Sequence, residues 1–582
     1  MFLPTTREEM AERGWDELDV LLVSGDAYID HPSFGTALLG RVLENAGYRV
    51  GVVAQPRWDG TEDIERMGRP RLYCGVSAGC LDSMLAHYTA FRKKRRDDAY
   101  TPGGEAGARP NRAVLVYSNL VRQAFPALPV VIGGIEASLR RAVHYDFWTN
   151  NVRRSVLLDS KADVLVYGMA EQTLVTLTER ISNGVSLEDL PGTVSIVSEF
   201  PQECQALPSY EEILADPKCL LQATLSIERQ VHEGETDLVQ AHGTRFVRLN
   251  RPAPCMNQEQ LDAVAELPFT RSAHPSYTEE IPALAMVQWS VTAVRGCGGG
   301  CSFCSLALHQ GRRIRSRSRD SILREAAALA RHPEFRGSIT DVGGPTANLW
   351  RASCRANPSS CRRASCLAPR VCPHLDVPQE EYLELLRSVR AVPGVKHVRV
   401  ASGVRHDLAL ECPDFMRGLT DEFVGGQLKV APEHAADHVL KLMRKTEFSL
   451  FERFVEVFTG LNRASGREQY VIPYILSAFP GCTLADMRAL AIWFRKQGWR
   501  PQQVQCFIPT PGTVATAMFH AECDLEGNAL HVAKTDRERE DQHKALMGTT
   551  RRGPAQGRKG KGKERNAKTQ RRKDARGRKK AE

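Results

Sequence analysis

Three cysteines, Cys297, Cys301 and Cys304, stand in the string VRGCGGGCSFCSLALHQGRRIRSRS, at the end of the apolar run VQWSVTAVRG. A C-x3-C-x2-C loop constrains everything around it. Three thiolates on so short a segment can each take one iron of a cubane, which leaves the fourth iron without a protein ligand. Gly298, Gly299 and Gly300 let the backbone wrap closely and offer amide N–H groups to cluster sulfurs. Phe303, directly before the last cysteine, is placed to shield such a group from water. Structural zinc favours four ligands in two separated pairs, and no second pair follows promptly here.

The chain has 16 cysteines. In a reducing cytosol, closely spaced cysteines point to metal or iron–sulfur ligation before disulfides. Isolated ones such as Cys74, Cys80 and Cys219 read as small buried hydrophobes. A second group, Cys354, Cys361, Cys366 and Cys372, is followed by Pro373 and His374 in a loop-like segment rich in Arg, Ser and Pro. Four soft ligands so close together suffice for a tetrahedral zinc or an auxiliary iron–sulfur cluster, and spacing alone does not choose between them. A segment with so little apolar content gains order from a metal more readily than from packing.

A chain of 582 residues holds two to four domains at roughly 100–200 residues each. Residues 1–200 alternate apolar runs with helical patterns. LDVLLVSG is a strand, TALLGRVLENAGYRV a helix stopped at Gly47, PVVIGGIEASLRR a strand, Gly133-Gly134 turn and helix, and ADVLVYGMAEQTLVTLTER repeats the scheme. An open flavodoxin-like sheet is expected there. Residues 201–285 lack a strong period and read as a connecting region. Residues 286–548 carry six further strands: VQWSVTAVRG, SITDVGG, HVRVASG, QLKVAPEH, YVIPYILSAFPG and VQCFIPTPG. Several end in Gly or Pro, as expected where parallel barrel strands run into functional loops, so this part reads as a partial (β/α)6 barrel with a cysteine-rich insertion at 354–374. The fold class is therefore α/β.

The net charge of +9 comes from the end of the chain, where Arg551 onward carries 15 Lys and Arg against three acidic residues. Removing that segment's +12 leaves a body near −3, so the charge gives no sign of a basic groove on the folded part. Residues 549–582 have almost no apolar side chains and are expected to be disordered. They could neutralise nucleic-acid phosphates or merely solubilise the chain. No apolar h-region opens the sequence and no segment approaches ~18 uninterrupted apolar residues; a cytoplasmic protein without a membrane span is expected.

From about Val20 to His531 the chain resembles the YgiQ family of radical S-adenosylmethionine (SAM) proteins. SGDAYIDHPSFG, GGIEASLRR, WSVTAVRGCGGGCSFCSL, DVGGPTAN, ASGVRHDLA, KVAPEH and VIPYILSAFPG carry the resemblance, and the three loop cysteines match the radical SAM signature C-x3-C-x-aromatic-C. The resemblance implies a B12-binding-like open sheet followed by a radical SAM barrel. It implies a 4Fe-4S cluster on Cys297, Cys301 and Cys304 that binds SAM at its open iron and passes it one electron. Cleavage then yields methionine and a 5′-deoxyadenosyl radical that abstracts hydrogen from a substrate not named by the sequence; an electron donor such as flavodoxin or ferredoxin is implied.

Gly343 and Gly344, in Asp341-Val342-Gly343-Gly344-Pro345, occupy the place where radical SAM proteins contact the SAM amino group; a plain turn is the alternative. Ser402 and Arg405 are candidates for the SAM ribose and carboxylate. Lys429, Glu433 and His434 are polar groups at a fourth strand end. For each of these an ordinary core or ion-pair role stands beside the functional one. Related domains bind cobalamin through a D-x-H-x-x-G loop, whereas this chain has Asp30-His31-Pro32-Ser33-Phe34-Gly35. The histidine adjoins the aspartate and the glycine comes late, so cobalamin is not expected, and His31 satisfying a turn is the plainer reading. A zinc-dependent nucleic-acid-binding protein is the contrasting class, with zinc at both cysteine groups and the basic segment on phosphates; within the enzyme class, tRNA modification is the alternative.

Overall fold

Val20–Ser24 (β1) is apolar along most of its length and buried on both faces, as an internal parallel strand must be. It pairs in parallel with Val50–Ala54 (β2) and Tyr73–Ser77 (β3). Val130–Gly133 (β4) and Val164–Val166 (β5) continue the parallel run. The order β2-β1-β3-β4-β5 is that of a flavodoxin-like sheet. The computed structural model describes residues 1–356 and 360–547; the basic segment from residue 549 lies outside the described residues.

Crossover helices cover both faces. Gly35–Asn45 (α1) buries Ala37, Leu38 and Leu43 and stops ahead of Gly47, whose φ of 91° is a left-handed exit that favours glycine. Ala113–Ala124 (α2) links β3 to β4. β4 turns through Gly133-Gly134 into the short helix Gly134–Leu139 (α3). Gly134 sits at φ 77°, and a Cβ there would press on Ser77 Oγ. Two apolar clusters, one on each side of the sheet, lock these helices down.

The segment read as a connection, 201–285, does more than connect. With Thr193–Val197 (β6), the strands Gln205–Leu207 (β7), Leu238–His242 (β8) and Arg245–Leu249 (β9) widen the sheet to nine, in the order β7-β8-β9-β6-β5-β4-β3-β1-β2. β8 and β9 form an antiparallel hairpin on the two-residue loop Gly243-Thr244. Apolar alternation on either side of a two-residue glycine loop is a hairpin signal, and it outweighs the prolines and acidic stretches around it. Between β7 and β8, Pro217–Glu233 (α4) begins where the Asp216 side chain accepts from Lys218 N, a regular N-cap.

All six apolar runs of the second half become strands: Ser290–Thr292 (β10), Ser338–Ile339 (β11) with Asp341–Gly343 (β12), His397–Val398 (β13), Gln427–Glu433 (β14), Tyr470–Ser477 (β15) and Gln503–Cys506 (β16). β10 pairs with β12, β11 with β13, and β14 with β15 and β15 with β16, all in parallel. Chain neighbours are thus spatial neighbours. Among the described residues no ladder joins β13 to β14. Helices such as Arg319–Ala330 (α5), Gln379–Arg390 (α6) and Phe448–Ser465 (α7) separate the strands, and their apolar faces bury Tyr382, Leu386, Phe454 and Phe458 in one core. No helix among the described residues is long and apolar enough to cross a membrane.

Candidate functional site

The cysteine loop is closed at its base. After β10, Val294–Arg295 pairs antiparallel with Arg315–Ser316, so the intervening residues leave and return at one point. Cys297 N donates to Gly311 O (3.2 Å) and Cys304 N to Cys301 O (3.1 Å). Gly299 N donates to Cys297 Sγ (3.4 Å), the amide-to-sulfur bond that the glycine run makes available. All three thiols are free. Burial raises the Cys301 thiol, while Lys445 and Arg405 pull it down and Cys297 pushes it up. Burial, with Cys301 and Cys297 beside it, pushes Cys304 up to about 12. Cys301 thus feels two cations, Lys445 and Arg405, together with the neighbouring Cys297. Phe303 lies edge-on to Phe479, with ring centroids 6.1 Å apart.

Among the described residues no three Cys, His, Asp or Glu side chains gather tightly enough for a single ion. A cubane asks for something else, because each thiolate takes its own iron and the sulfurs stand around the cluster. Three mutually sensed thiols on one glycine-rich loop, one of them already bonded by a backbone amide, fit that requirement.

Gly343 and Gly344 end β12 directly beside this loop. A Cβ on Gly344 would collide with the Val294 carbonyl oxygen, and one on Gly343 would press on Ser402 Oγ. Neither the backbone oxygen nor the strand that carries it can move aside cheaply. Gly344→Ala is accordingly expected to lower unfolding free energy by about 1–3 kcal/mol, the usual range for overpacking, measured by denaturant titration.

The remaining sequence candidates divide. Ser402 does not stand free for a ribose: its hydroxyl donates to the Asp341 carboxylate, and its backbone N–H donates to the same group at 2.9 Å. Arg405 does not present a free fork for a carboxylate either, since Nε (2.9 Å) and Nη2 both donate to Asp407. It remains near Cys301 and Cys297: burial lowers its pKa, and Asp407 first, then the two cysteines, raise it. Lys429 is exposed on β14 and draws down Asp341, which burial raises. Glu433 has φ 70°, an unusual value for a side-chain-bearing residue, and burial raises its carboxyl against Lys445 and Arg405. His434 faces away into packing: Nδ1 accepts from Ala436 N at 2.9 Å, Nε2 lies 3.4 Å from Cys482 Sγ, and burial brings its pKa to about 4.

Sequence reasoning missed Lys445. It is buried, stands 3.8 Å from Glu433, and follows the left-handed turn at Arg444. No pattern announces a residue so far along the chain from Cys304. Asp341 was noted only as the start of the glycine motif, yet it ties Ser402 and Ala401 to β12.

The second cysteine group lies against the first loop. Cys366 N donates to Gly298 O (2.8 Å) and Ser365 Oγ to Gly299 O (2.5 Å). Burial raises the Cys366 thiol; Arg312 lowers it, and Cys354 and Cys361 raise it further.

Between the cysteine loop and the sheet lies a cavity of about 580 Å³, lined by Ser24, Ser77 and Gly134 on one side and by Ser305, Leu306 and Gly344 on the other. It opens at the carboxyl ends of β1, β3 and β4, where open α/β sheets place ligands. His31 is committed nearby: its Nδ1 accepts from Ser33 N (3.0 Å), Arg271 Nη1 donates to Nε2 (3.0 Å), and burial with Arg271 drives its pKa far down. It satisfies a turn, as the sequence suggests.

Residues 2–290 match the Radical SAM N-terminal family. A UPF0313 protein of Geobacter sulfurreducens is 48% identical, over 94% of this chain and 92% of its own length. One from Methanosarcina acetivorans is 45% identical, over 94% and 78%. Among solved structures, the radical SAM methyltransferase TsrM from Kitasatospora setae, bound to cobalamin and a [4Fe-4S] cluster, shares the fold at TM-score 0.50 and 15% identity, over 91% of this chain and 88% of that one. The relatives span nearly the whole chain at an identity that leaves no other assignment, and the chain belongs to the UPF0313 family of radical SAM proteins.

Proposed function

We propose that this protein is a radical SAM enzyme whose 4Fe-4S cluster is held by Cys297, Cys301 and Cys304. The observation that carries the reading is the set of three free thiols that sense one another on a single closed loop, beside a strand ending in Gly343-Gly344. When bound, the cluster supplies one electron to the sulfonium of SAM, which releases methionine and a 5′-deoxyadenosyl radical. The chain's own contribution is placement and exclusion of water. Gly343 and Gly344 leave room for close backbone approach. Arg405 and Lys445 offset negative charge at the thiolates. Asp341 fixes Ser402, and with it the loop after β13.

The substrate belongs in the 580 Å³ cavity, which borders the cysteine loop and Gly344. Its wall is largely apolar, with Ser24, Ser77, Ser305, Arg295 and Arg317 among the polar groups on it, which supports a small organic molecule as substrate. A flavodoxin or ferredoxin is the expected electron donor. A corrinoid is a second reading for the same cavity, favoured by its position at the strand ends and by the cobalamin in TsrM. His31, engaged by Arg271, would not ligate its cobalt. Equilibrium dialysis with hydroxocobalamin separates the two readings.

The decisive experiment is anaerobic reconstitution with iron and sulfide, followed by SAM and dithionite. Formation of 5′-deoxyadenosine with equimolar methionine is expected. Stoichiometric zinc at these thiols, with no nucleoside released, would overturn the proposal.

A further inference from the structure

Cys354, Cys361, Cys366 and Cys372 have no part in that reading, yet the backbone gathers them deliberately. Ser353–Cys354 pairs antiparallel with Leu375–Asp376, which sets Cys354 opposite Leu375. Leu375 N donates to Cys372 O (2.9 Å), and Cys372 N to Cys366 O (2.8 Å). The backbone thus draws Cys354, Cys366 and Cys372 into one small knot.

Apolar packing within this knot is limited, and Arg363 and Ser365 bond much of its backbone. Between residues 360 and 377 the buried apolar side chains are Leu367, Ala368 and Cys372.

A second observation points to negative charge at the site. Arg312 is 94% buried, by its 6% exposure. Its Nη1 donates to Arg363 O (2.8 Å), its Nη2 lies 3.7 Å from Cys366 Sγ, and its Nε has no partner. Among the described residues it pairs with no carboxylate, and a buried guanidinium without an anion is costly. Ionised thiols, the form in which cysteine binds a metal, supply that anion.

The arrangement also bears on which metal. A single zinc would need all its sulfurs on one point at about 2.3 Å. A polynuclear cluster takes each thiolate on a different iron and so tolerates wider spacing. We infer that Cys354, Cys361, Cys366 and Cys372 hold a second iron–sulfur cluster, a four-iron cubane packed against the first cysteine loop through Gly298 and Gly299. This inference does not rest on SAM cleavage at Cys297, Cys301 and Cys304.

The test uses the full chain, reconstituted anaerobically with iron and sulfide. At four irons per cubane, the unmodified protein should bind about eight irons, and the triple variant Cys297→Ala, Cys301→Ala, Cys304→Ala about four, with visible absorption retained. The double variant Cys361→Ala, Cys366→Ala should also bind about four. The triple variant decides the matter even where the double variant fails to fold. If it binds no iron, or if zinc fills the second group at one per chain, the inference is wrong, whatever the first site does with SAM.

Discussion

Cys301→Ala should reduce 5′-deoxyadenosine formation to background, a loss greater than about 100-fold, since even partners outside the ligand set commonly cost 10–100-fold. Cys301 is the middle cysteine and the thiol on which Lys445, Arg405 and Cys297 all act. Its removal leaves two thiolates, which cannot hold three irons of a cubane. The fold should persist, because the loop is closed by the Val294–Arg295 and Arg315–Ser316 pairing rather than by sulfur. Circular dichroism unchanged, iron content reduced and nucleoside absent is the expected combination. A variant that cleaves SAM at the unmodified rate would remove these cysteines from the mechanism.

Arg109→Leu should destabilise the protein by about 3–5 kcal/mol, the cost of stranding buried charges. Arg109 has no exposed side-chain surface and bridges Asp98 (2.9 Å) and Asp26 (3.0 Å), themselves buried. Its Nη1 also donates to Ala78 O at 2.8 Å. Asp26 and Ala78 lie in the loops that follow β1 and β3, and Asp26 lines the cavity. Burial already raises the Asp26 carboxyl against the pull of Arg109, and Asp98 raises it too. Without the guanidinium, burial and Asp98 raise it against the hydrogen bonds from Cys80 alone. A carboxyl whose folded pKa lies above its unfolded value stabilises the fold at low pH and loses that contribution as pH rises through the folded pKa. The deficit of the variant should therefore be larger at pH 8 than at pH 5. Urea denaturation at both pH values measures it, and an equal deficit at the two would show that the aspartates are not stranded.

Local patterning explains why so many elements are legible from residue order. β1 is apolar because both its faces are buried, and Gly47 and Gly133-Gly134 mark turns that favour or require glycine. The three cysteines of the proposed cluster loop are legible in the same way, since they stand on one short segment. The exceptions have a common cause. Strands β7 to β9 lie among prolines and acidic residues, and their membership in the sheet depends on partners elsewhere. Ser402 and Arg405 carry functional groups suited to a nucleotide and an amino acid, yet Asp341 and Asp407 claim them. A hydrogen-bonding group reveals its chemistry in one dimension and its partner only in three.

Residue order alone is enough for the alternating architecture, the closed run of glycines and the thiols within it, because backbone preference, hydrophobic period and ligand spacing are short-range. Chain folding adds what is long-range. It brings Lys445 and Arg405 to Cys301, engages His31 with Arg271, and aligns the ends of β1, β3 and β4 with Gly344 across one cavity. Electrostatic and packing energies fall off with distance through space, and they are indifferent to separation along the polypeptide.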